Sequence, residues 1–340
     1  MDAASATYEG RLMDGMRRLN RSDLHVGTPL QWSCYDRNGH LLLRKGVAIS
    51  FDHQIDRLIG EGLFAMDSGG STKAAGVFQS ESVFERLVSL TWGLRASFND
   101  LLSNTPSSDT EERLRSRVQK VMEVCVADPN AAIAAIHLDV QNPYVLSHHV
   151  HSAIMCVLLG KRIGISDEDL LPVVCAAMTC DLGMAEFVYL EKQTASLDEE
   201  QAATVRQHVE RSVSILARAG IDDPIWLNTI LQHHERWNGT GYPNNLAREE
   251  IAVGARLLAV ADSYTAMVRT RAHRLARMPL EAQGEIFKHM GILYEARICV
   301  ALVKEFGLYP PGSMVRLTNS ELVVSHRRID GKSGTRSGEW

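Results

Sequence analysis

Long apolar runs are missing from this sequence: nowhere in its 340 residues do about eighteen consecutive hydrophobic side chains occur. An ordinary membrane-spanning helix is therefore not expected. The opening MDAASATYEG lacks the basic-then-apolar order of an export signal, which makes the cytoplasm the expected location. Excess basic charge is missing too, with 36 lysines and arginines against 41 aspartates and glutamates and a net charge of −5. A broad basic face for a nucleic acid polymer is not expected, whereas a small anionic ligand needs only a local group of arginines. Paired cysteines are the third absence. Cys34, Cys125, Cys156, Cys175, Cys180 and Cys299 include no Cys-x-x-Cys spacing. That argues against a zinc ribbon or a disulfide framework and suits free, buried thiols in a reducing compartment.

What is present is an ordinary globular composition, 45% hydrophobic and 23% charged, in a chain longer than one average domain. Residues 1–20 read as a short amphipathic lead. Residues 24–50 alternate, with a hairpin signal at Arg37-Asn38-Gly39, and FDHQIDRLIGEGLF follows with a helical pattern. Together these make a small α+β accessory module over 1–67. SGGSTKAAG (68–76) has the small, polar composition of a linker. Beyond it the periodicity is helical, in segments near 80–104, 109–126, 145–163, 167–180, 197–219, 224–235, 249–268 and 281–306. The segment GLYPPGSMVRLTNSELVVSHRRI suggests a β-hairpin-like extension within 309–340, with the last ten residues frayed. No repeat of fixed period and no sustained heptad occurs. The helices at 80–126 could still pair as a dimerisation stalk, so a homodimer is among the expectations. The expected fold class is mainly α.

The informative residues are polar ones on apolar faces. Ser196-Leu197-Asp198-Glu199 has the spacing of a capping box, which phases the next helix with Val205, Val209, Ser212, Val213 and Leu216 inward and His208 among them. LLPVVCAAMTCD is apolar until it stops at Cys180-Asp181, which puts a carboxylate at the negative end of a helix dipole. Asp262 interrupts ARLLAVADSYTAM, and His148 opens HHVHSAIMCVLLG. LQHHERWNGTGYP places His233, His234 and Glu235 at a helix end before a glycine-rich loop. Taken singly, a core histidine is ordinarily just hydrogen-bonded, and an aspartate at a helix end is a cap. Together, several imidazoles and carboxylates with few cationic partners point to a shared metal site. Neighbours on a helix point about 100° apart, so His233 and His234 are expected to face different metals, or metal and substrate. A two-metal site with Asp181 bridging fits that expectation, and such a site stabilises in-line displacement at phosphorus.

These residues resemble the HD-GYP family of metal-dependent phosphohydrolases, over roughly residues 140–308. The order His148, Gly164, Cys180-Asp181-Leu182-Gly183-Met184, His208, the signature HHERWNGTGYP and Asp262 is similar to the family's pattern, and RTRAHR resembles its substrate-contacting segment. The resemblance implies an HD-type helical bundle over 140–308. An accessory module (1–67) and a linker with helical stalk (68–139) would precede it, and a short β extension with a polar tail (309–340) would follow. It further implies hydrolysis of cyclic di-GMP to the linear dinucleotide or GMP by a metal-activated hydroxide at an iron or manganese centre. His148, Asp181 and Asp262 would hold one ion; His208, His233 and His234 would serve the second side, with Asp181 as the catalytic bridge. Gly241, Tyr242 and Pro243 would shape the substrate rim, and Arg271 and Arg274 would meet the phosphates.

The sequence departs from that pattern at identifiable places. Cys180 stands where the family carries its naming histidine, either as a softer ligand or as a small buried thiol touching nothing. Met184 replaces a lysine, Asn238 an aspartate, His273 a tyrosine, and Tyr144 supplies no carboxylate for a third metal. These departures imply weakened turnover. The alternative is an inactive module that binds cyclic di-GMP or docks on a signalling partner such as a diguanylate cyclase. Arg269, Arg271, Arg274 and Arg277 could equally just complement a helix C-terminus.

Overall fold

The structure, a computed structural model, describes residues 16–26, 28, 30–35, 41–43, 45, 49, 55, 58–59, 64–66, 82–139, 142–187, 198–270 and 274–328. The linker 68–76, the turn Arg37-Asn38-Gly39, Ser196, Arg271, His273 and the last ten residues lie outside them. The chain divides into two compact units, Met1–Phe78 and Gln79–Trp340.

In the first unit, strands β1 (Met16–Arg18), β2 (Cys34–Tyr35), β3 (Leu41–Leu43) and β4 (Phe64–Met66) form an antiparallel sheet in the order β1-β4-β2-β3. The pairing of Cys34 with Leu43 and of Tyr35 with Leu41 is the hairpin the alternation suggests. Of the expected amphipathic lead, residues 1–15 lie outside the described residues, and Met16–Arg18 pairs with Met66–Phe64 as a strand. That partner lies about fifty residues away, beyond the reach of a local pattern. Leu19, Leu24, Leu30, Cys34, Ile49, Ile55 and Ala65 make a small separate core.

The second unit is helical: α1 (Val83–Leu101), α2 (Thr110–Ala127), α3 (Pro129–Leu138), α4 (Tyr144–Arg162), α5 (Asp167–Ala177), α6 (Glu199–Arg206), α7 (His208–Arg218), α8 (Pro224–Gln232), α9 (Val253–Met267), α10 (Pro279–Lys288) and α11 (Ala296–Phe306). Side-chain caps start several of them, with Ser82 accepting from the Glu85 amide, Ser166 from Asp169 and Asp223 from Ile225 and Trp226. Helix α4 is the centre of the bundle: every residue from Leu146 to Gly160 is buried. It packs against α5, α9, α2, α1 and α11. A helix buried all round must be apolar all round or satisfy its polar groups internally, so the three histidines in its first turns stand out. Helices α1 and α2, read from the sequence as a stalk, bury Leu87, Leu94, Leu114 and Val118 in the same core as α4.

Several element boundaries differ from the sequence reading. Helix α4 begins at Tyr144, so His148 sits one turn inside it. The segment 197–219 is two helices parted at Gln207, and the N-cap is Asp198, closing a capping box with Gln201. The segment 281–306 is also broken, with Gly291 at φ 74° between α10 and α11. The expected tail hairpin is present as β5 (Met314–Arg316) against β6 (Leu322–Val324). All six cysteines are free and buried. No single helix among the described residues is long and apolar enough to cross a membrane.

Candidate metal centre

Helices α4, α7 and α9 and the ends of α5 and α8 bring eight ligand-type side chains together. They fall into three groups whose donor atoms lie within 4.8 Å of one another: His208, His233 and His234; His148, Asp181 and Asp262; and His149, Cys180 and Asp181.

Asp181 lies in the turn after α5, before a 3-10 helix at Leu182–Phe187. Ser212 on α7 clamps that turn, donating to the Cys180 carbonyl at 2.7 Å and accepting from the Gly183 amide at 2.9 Å. Gly183 is required by the close approach of α7: a Cβ there would lie 2.3 Å from the His208 carbonyl oxygen. Held in this way, the carboxylate faces two sides. Its Oδ1 lies 3.4 Å from His208 Nε2, while its Oδ2 lies 3.9 Å from both His148 Nε2 and His149 Nε2.

Three of the rings share one hydrogen-bond pattern. His149 Nδ1 bonds the Val145 carbonyl, His208 Nδ1 the Val205 carbonyl at 2.7 Å and His233 Nδ1 the Ile230 carbonyl at 2.7 Å. A carbonyl oxygen only accepts, so Nδ1 carries the proton in each ring and Nε2 presents a lone pair. All three Nε2 atoms are buried without a hydrogen-bond partner among the described residues. A buried lone pair beside a carboxylate oxygen is unfavourable unless a cation lies between them. Fixing Nδ1 on a carbonyl is also how ligand histidines are oriented toward metals. The donor set therefore fits a divalent cation. His148 differs: its Nε2 donates to Asp262 Oδ1 at 2.9 Å, its Nδ1 lies 3.2 Å from Thr265 Oγ1, and the Tyr144 ring stacks on it.

The expectation that His233 and His234 face apart is corrected. Helix α8 ends at Gln232, so the 100° step between helical neighbours no longer applies, and the two ring centroids lie 4.1 Å apart. Both rings face His208, at centroid distances of 5.5 and 5.0 Å.

The loop after them is pinned to the same helix end. Glu235, only 2% exposed, accepts from the Asn244 amide at 2.7 Å and from the Leu246 amide at 3.1 Å, so its carboxylate shapes the loop. Gly241 runs over Glu235 so closely that a Cβ would lie 2.4 Å from the Glu235 Cα. Tyr242 precedes Pro243 through a cis bond, and its ring stacks on His234 at 4.8 Å. Asn238 takes hydrogen bonds from the Thr240 amide and hydroxyl, which turns the loop. Arg274 donates to the Ala266 carbonyl at 2.5 Å, and Arg269 to the Asn142 carbonyl and Ser147. The Arg274 bond suits the helix-terminal role, whereas Arg269 ties the end of α9 to the start of α4.

Electrostatics keep the donors ready. Burial lowers His149, His233 and His234 below the usual imidazole range, so they are neutral at pH 7. Burial opposes ionisation of Asp181 and Asp262, but the surrounding imidazoles outweigh it and hold both carboxyls below their usual range. Burial, then the charges of Asp181 and Asp262, push the Cys180 thiol well up, and its Sγ faces the Ala177 carbonyl at 3.7 Å. Sequence reasoning named His148 and passed over His149. The one available signal was the doubled histidine of HHVH, and nothing in helical periodicity selects two neighbours.

Comparison with known proteins agrees with this geometry. Residues 131–298 match the family model of the HD domain. The chain is 27% identical over 208 residues to the cyclic di-GMP phosphodiesterase PA4108 of Pseudomonas aeruginosa, covering 61% of this chain and 50% of that one. It is 26% identical over 231 residues to the cyclic di-GMP phosphodiesterase response regulator RpfG of Xanthomonas campestris, covering 66% and 54%. The chain thus spans about half the length of the curated relatives it matches. Bd1817, an HDG"Y"P protein of Bdellovibrio bacteriovorus, shares the fold with a TM-score of 0.58 at 16% identity, over 84% of this chain and 98% of that one. A helical bundle with imidazoles and aspartates gathered at its centre defines the class: an HD-type domain with a candidate divalent-metal site. Within that class, the chain carries a domain of the HD-GYP family.

Proposed function

We propose that this chain hydrolyses cyclic di-GMP to the linear dinucleotide or GMP at a two-ion centre of iron or manganese. His148, Asp181 and Asp262 serve one side, and His208, His233 and His234 the other. The observation that carries this reading is the carboxylate of Asp181, whose Oδ1 faces His208 while its Oδ2 faces His148. Divalent ions bound there would polarise a phosphoryl oxygen and make water a nucleophile near neutral pH.

The chain's own residues do the remaining work. Carbonyl bonds to Nδ1 hold His208 and His233 in one tautomer, so these rings need no reorganisation to accept a cation. Asp181 stays ionised because the imidazoles around it outweigh its burial. Tyr242, stacked on His234, forms the rim with Gly241 and Pro243 and limits water at the mouth of the site. Arg274 and Arg271 would meet the substrate phosphates. Cys180 removes an imidazole and Met184 a cation from the family pattern, so turnover is expected to be slow.

A second reading is a module that binds cyclic di-GMP, or docks a partner such as a diguanylate cyclase, without turnover. It is favoured by the Cys180 thiol, which is directed to the Ala177 carbonyl. One experiment separates the two: anaerobic metal quantification coupled to a cyclic di-GMP turnover assay. Bound iron or manganese with linear product supports hydrolysis. Bound nucleotide without product supports the second reading, and a chain that binds neither metal nor nucleotide overturns both.

A further inference from the structure

We propose that His149 supplies to the first metal position the imidazole that the sequence lacks at Cys180. The inference rests on the metal-centre reading above and adds a ligand to it. His149 is 1% exposed, and its Nε2 has no hydrogen-bond partner among the described residues. A core histidine with a purely packing role can satisfy both nitrogens, as His137 does with the Pro311 carbonyl and the Tyr264 hydroxyl. The His149 ring is fixed on two sides. Its Nδ1 bonds the Val145 carbonyl one helical turn back, and the Phe98 ring packs edge-on against it at 5.1 Å. It therefore shares the tautomer and orientation of His208 and His233.

The direction of the lone pair is equally specific. His149 Nε2 lies 3.9 Å from Asp181 Oδ2, the same oxygen at the same distance as His148 Nε2. Neighbouring histidines on a helix diverge, and here the Asp181 turn lies between their two directions, with ring centroids 6.0 Å apart. Donors bonded to one ion at about 2.1 Å lie roughly 3–4 Å from each other, so the spacing to Asp181 suits a shared ion. Cys180 belongs to the same group, yet its thiol faces the carbonyl of Ala177, in its own turn. An imidazole needs no deprotonation to bind, whereas a thiol does. The resulting position has His149, Asp181 and Asp262 as its donors, and His148 joins them in the tautomer that carries its proton on Nδ1, toward Thr265 Oγ1, and frees Nε2. Imidazole has moved from the turn after α5 to helix α4.

The test uses the full chain, stripped of metal and titrated anaerobically with Co(II), reading stoichiometry and the absorption spectrum. The wild type is expected to take up two ions without a thiolate-to-cobalt charge-transfer band, and Cys180→Ser to change neither property. His149→Ala should weaken one of the two equivalents by at least about 100-fold, more than loss of an orienting partner usually costs. Moving the imidazole back, in His149→Ala with Cys180→His, should restore it. His149→Gln, closer in volume, replaces the alanine variant if that one does not fold. Full retention of both equivalents in the folded His149 variant overturns the proposal. So does a thiolate band in the wild type that Cys180→Ser removes. A wild type that takes up no Co(II) removes the metal-centre reading itself, and this inference with it.

Discussion

His137 on α3 and His233 at the end of α8 both sit inside the helical unit, yet their rings are satisfied differently. His137 donates from Nδ1 to the Pro311 carbonyl and accepts at Nε2 from the Tyr264 hydroxyl, both at 2.8 Å. His233 makes the first kind of bond, to Ile230, and leaves Nε2 open. The first ring ties the chain just before β5 to the core and is chemically complete. The second belongs to a set of half-satisfied rings that share an orientation around Asp181 and Asp262. A single open nitrogen is a packing defect, whereas three open nitrogens gathered from distant parts of the chain beside buried carboxylates form a binding arrangement.

The sharpest way to break this comparison is to remove the carboxylate both sides share. Asp181→Ala should lower cyclic di-GMP turnover on the order of 1000-fold, comparable to losing a principal charge-stabilising group. Metal content should fall with it. Retained metal and turnover would mean that Asp181 does not bridge.

Exchanging the roles of the two histidines sharpens it further. His137→Ala removes the hydrogen bonds to the Tyr264 hydroxyl and the Pro311 carbonyl and opens a void, so denaturant unfolding should show a loss of about 2–4 kcal/mol. Metal binding should stay as in the wild type. His233→Ala should do the reverse, weakening metal binding by at least about 100-fold. Its cost to the metal-free fold should be smaller, about 1–3 kcal/mol, because a void opens at either site but only one hydrogen bond is lost here.

Acid tests the closed ring of His137. Burial lowers His137 to about 4, against the usual imidazole value of 6.5. Below 6.5 the unfolded chain takes up a proton that the folded ring refuses, so stability is complete above that pH and falls as pH drops toward about 4. The metal-free protein should lose about 2–3 kcal/mol across that window from this residue, which a series of unfolding midpoints against pH would read. His137→Gln should flatten the slope.

The legible parts of the molecule are those whose signal is local. Asp262 stands out because it interrupts an apolar run, and His233 and His234 because a helix stops there before glycines and proline. The tail hairpin follows from its alternation and turn residues. What escaped depends on distant partners. His149 becomes distinctive only when the Asp181 turn lies against α4. Strand β1 needs β4, far along the chain. Helix α3 is short and apolar nearly all round, so it lacks a period, although Asp128 before Pro129 is a start signal. The break at Gln207 carries neither glycine nor proline. Glu235 stands beside two candidate ligands, and only the amides of Asn244 and Leu246 reveal its task.

Ser212 gives the smallest expected effect and the finest test of how the centre is held. Its position in the buried stripe of α7 was readable as core, and its hydroxyl is buried without being idle. It spans the Cys180 carbonyl and the Gly183 amide on either side of Asp181. Ser212→Ala keeps the volume nearly unchanged and leaves those two backbone groups unpaired. The fold should lose about 1–3 kcal/mol, the usual penalty for an unsatisfied buried group. Metal affinity should fall about 10-fold, because the turn that aims the carboxylate loosens while every proposed ligand stays in place. Ser212→Thr restores the hydroxyl but adds a methyl group against the turn. If the clamp acts through hydrogen bonding, threonine recovers affinity in proportion to the bonds it remakes. If both variants bind metal as the wild type does, the turn is held by packing alone and Asp181 is positioned by the approach of α7 at Gly183.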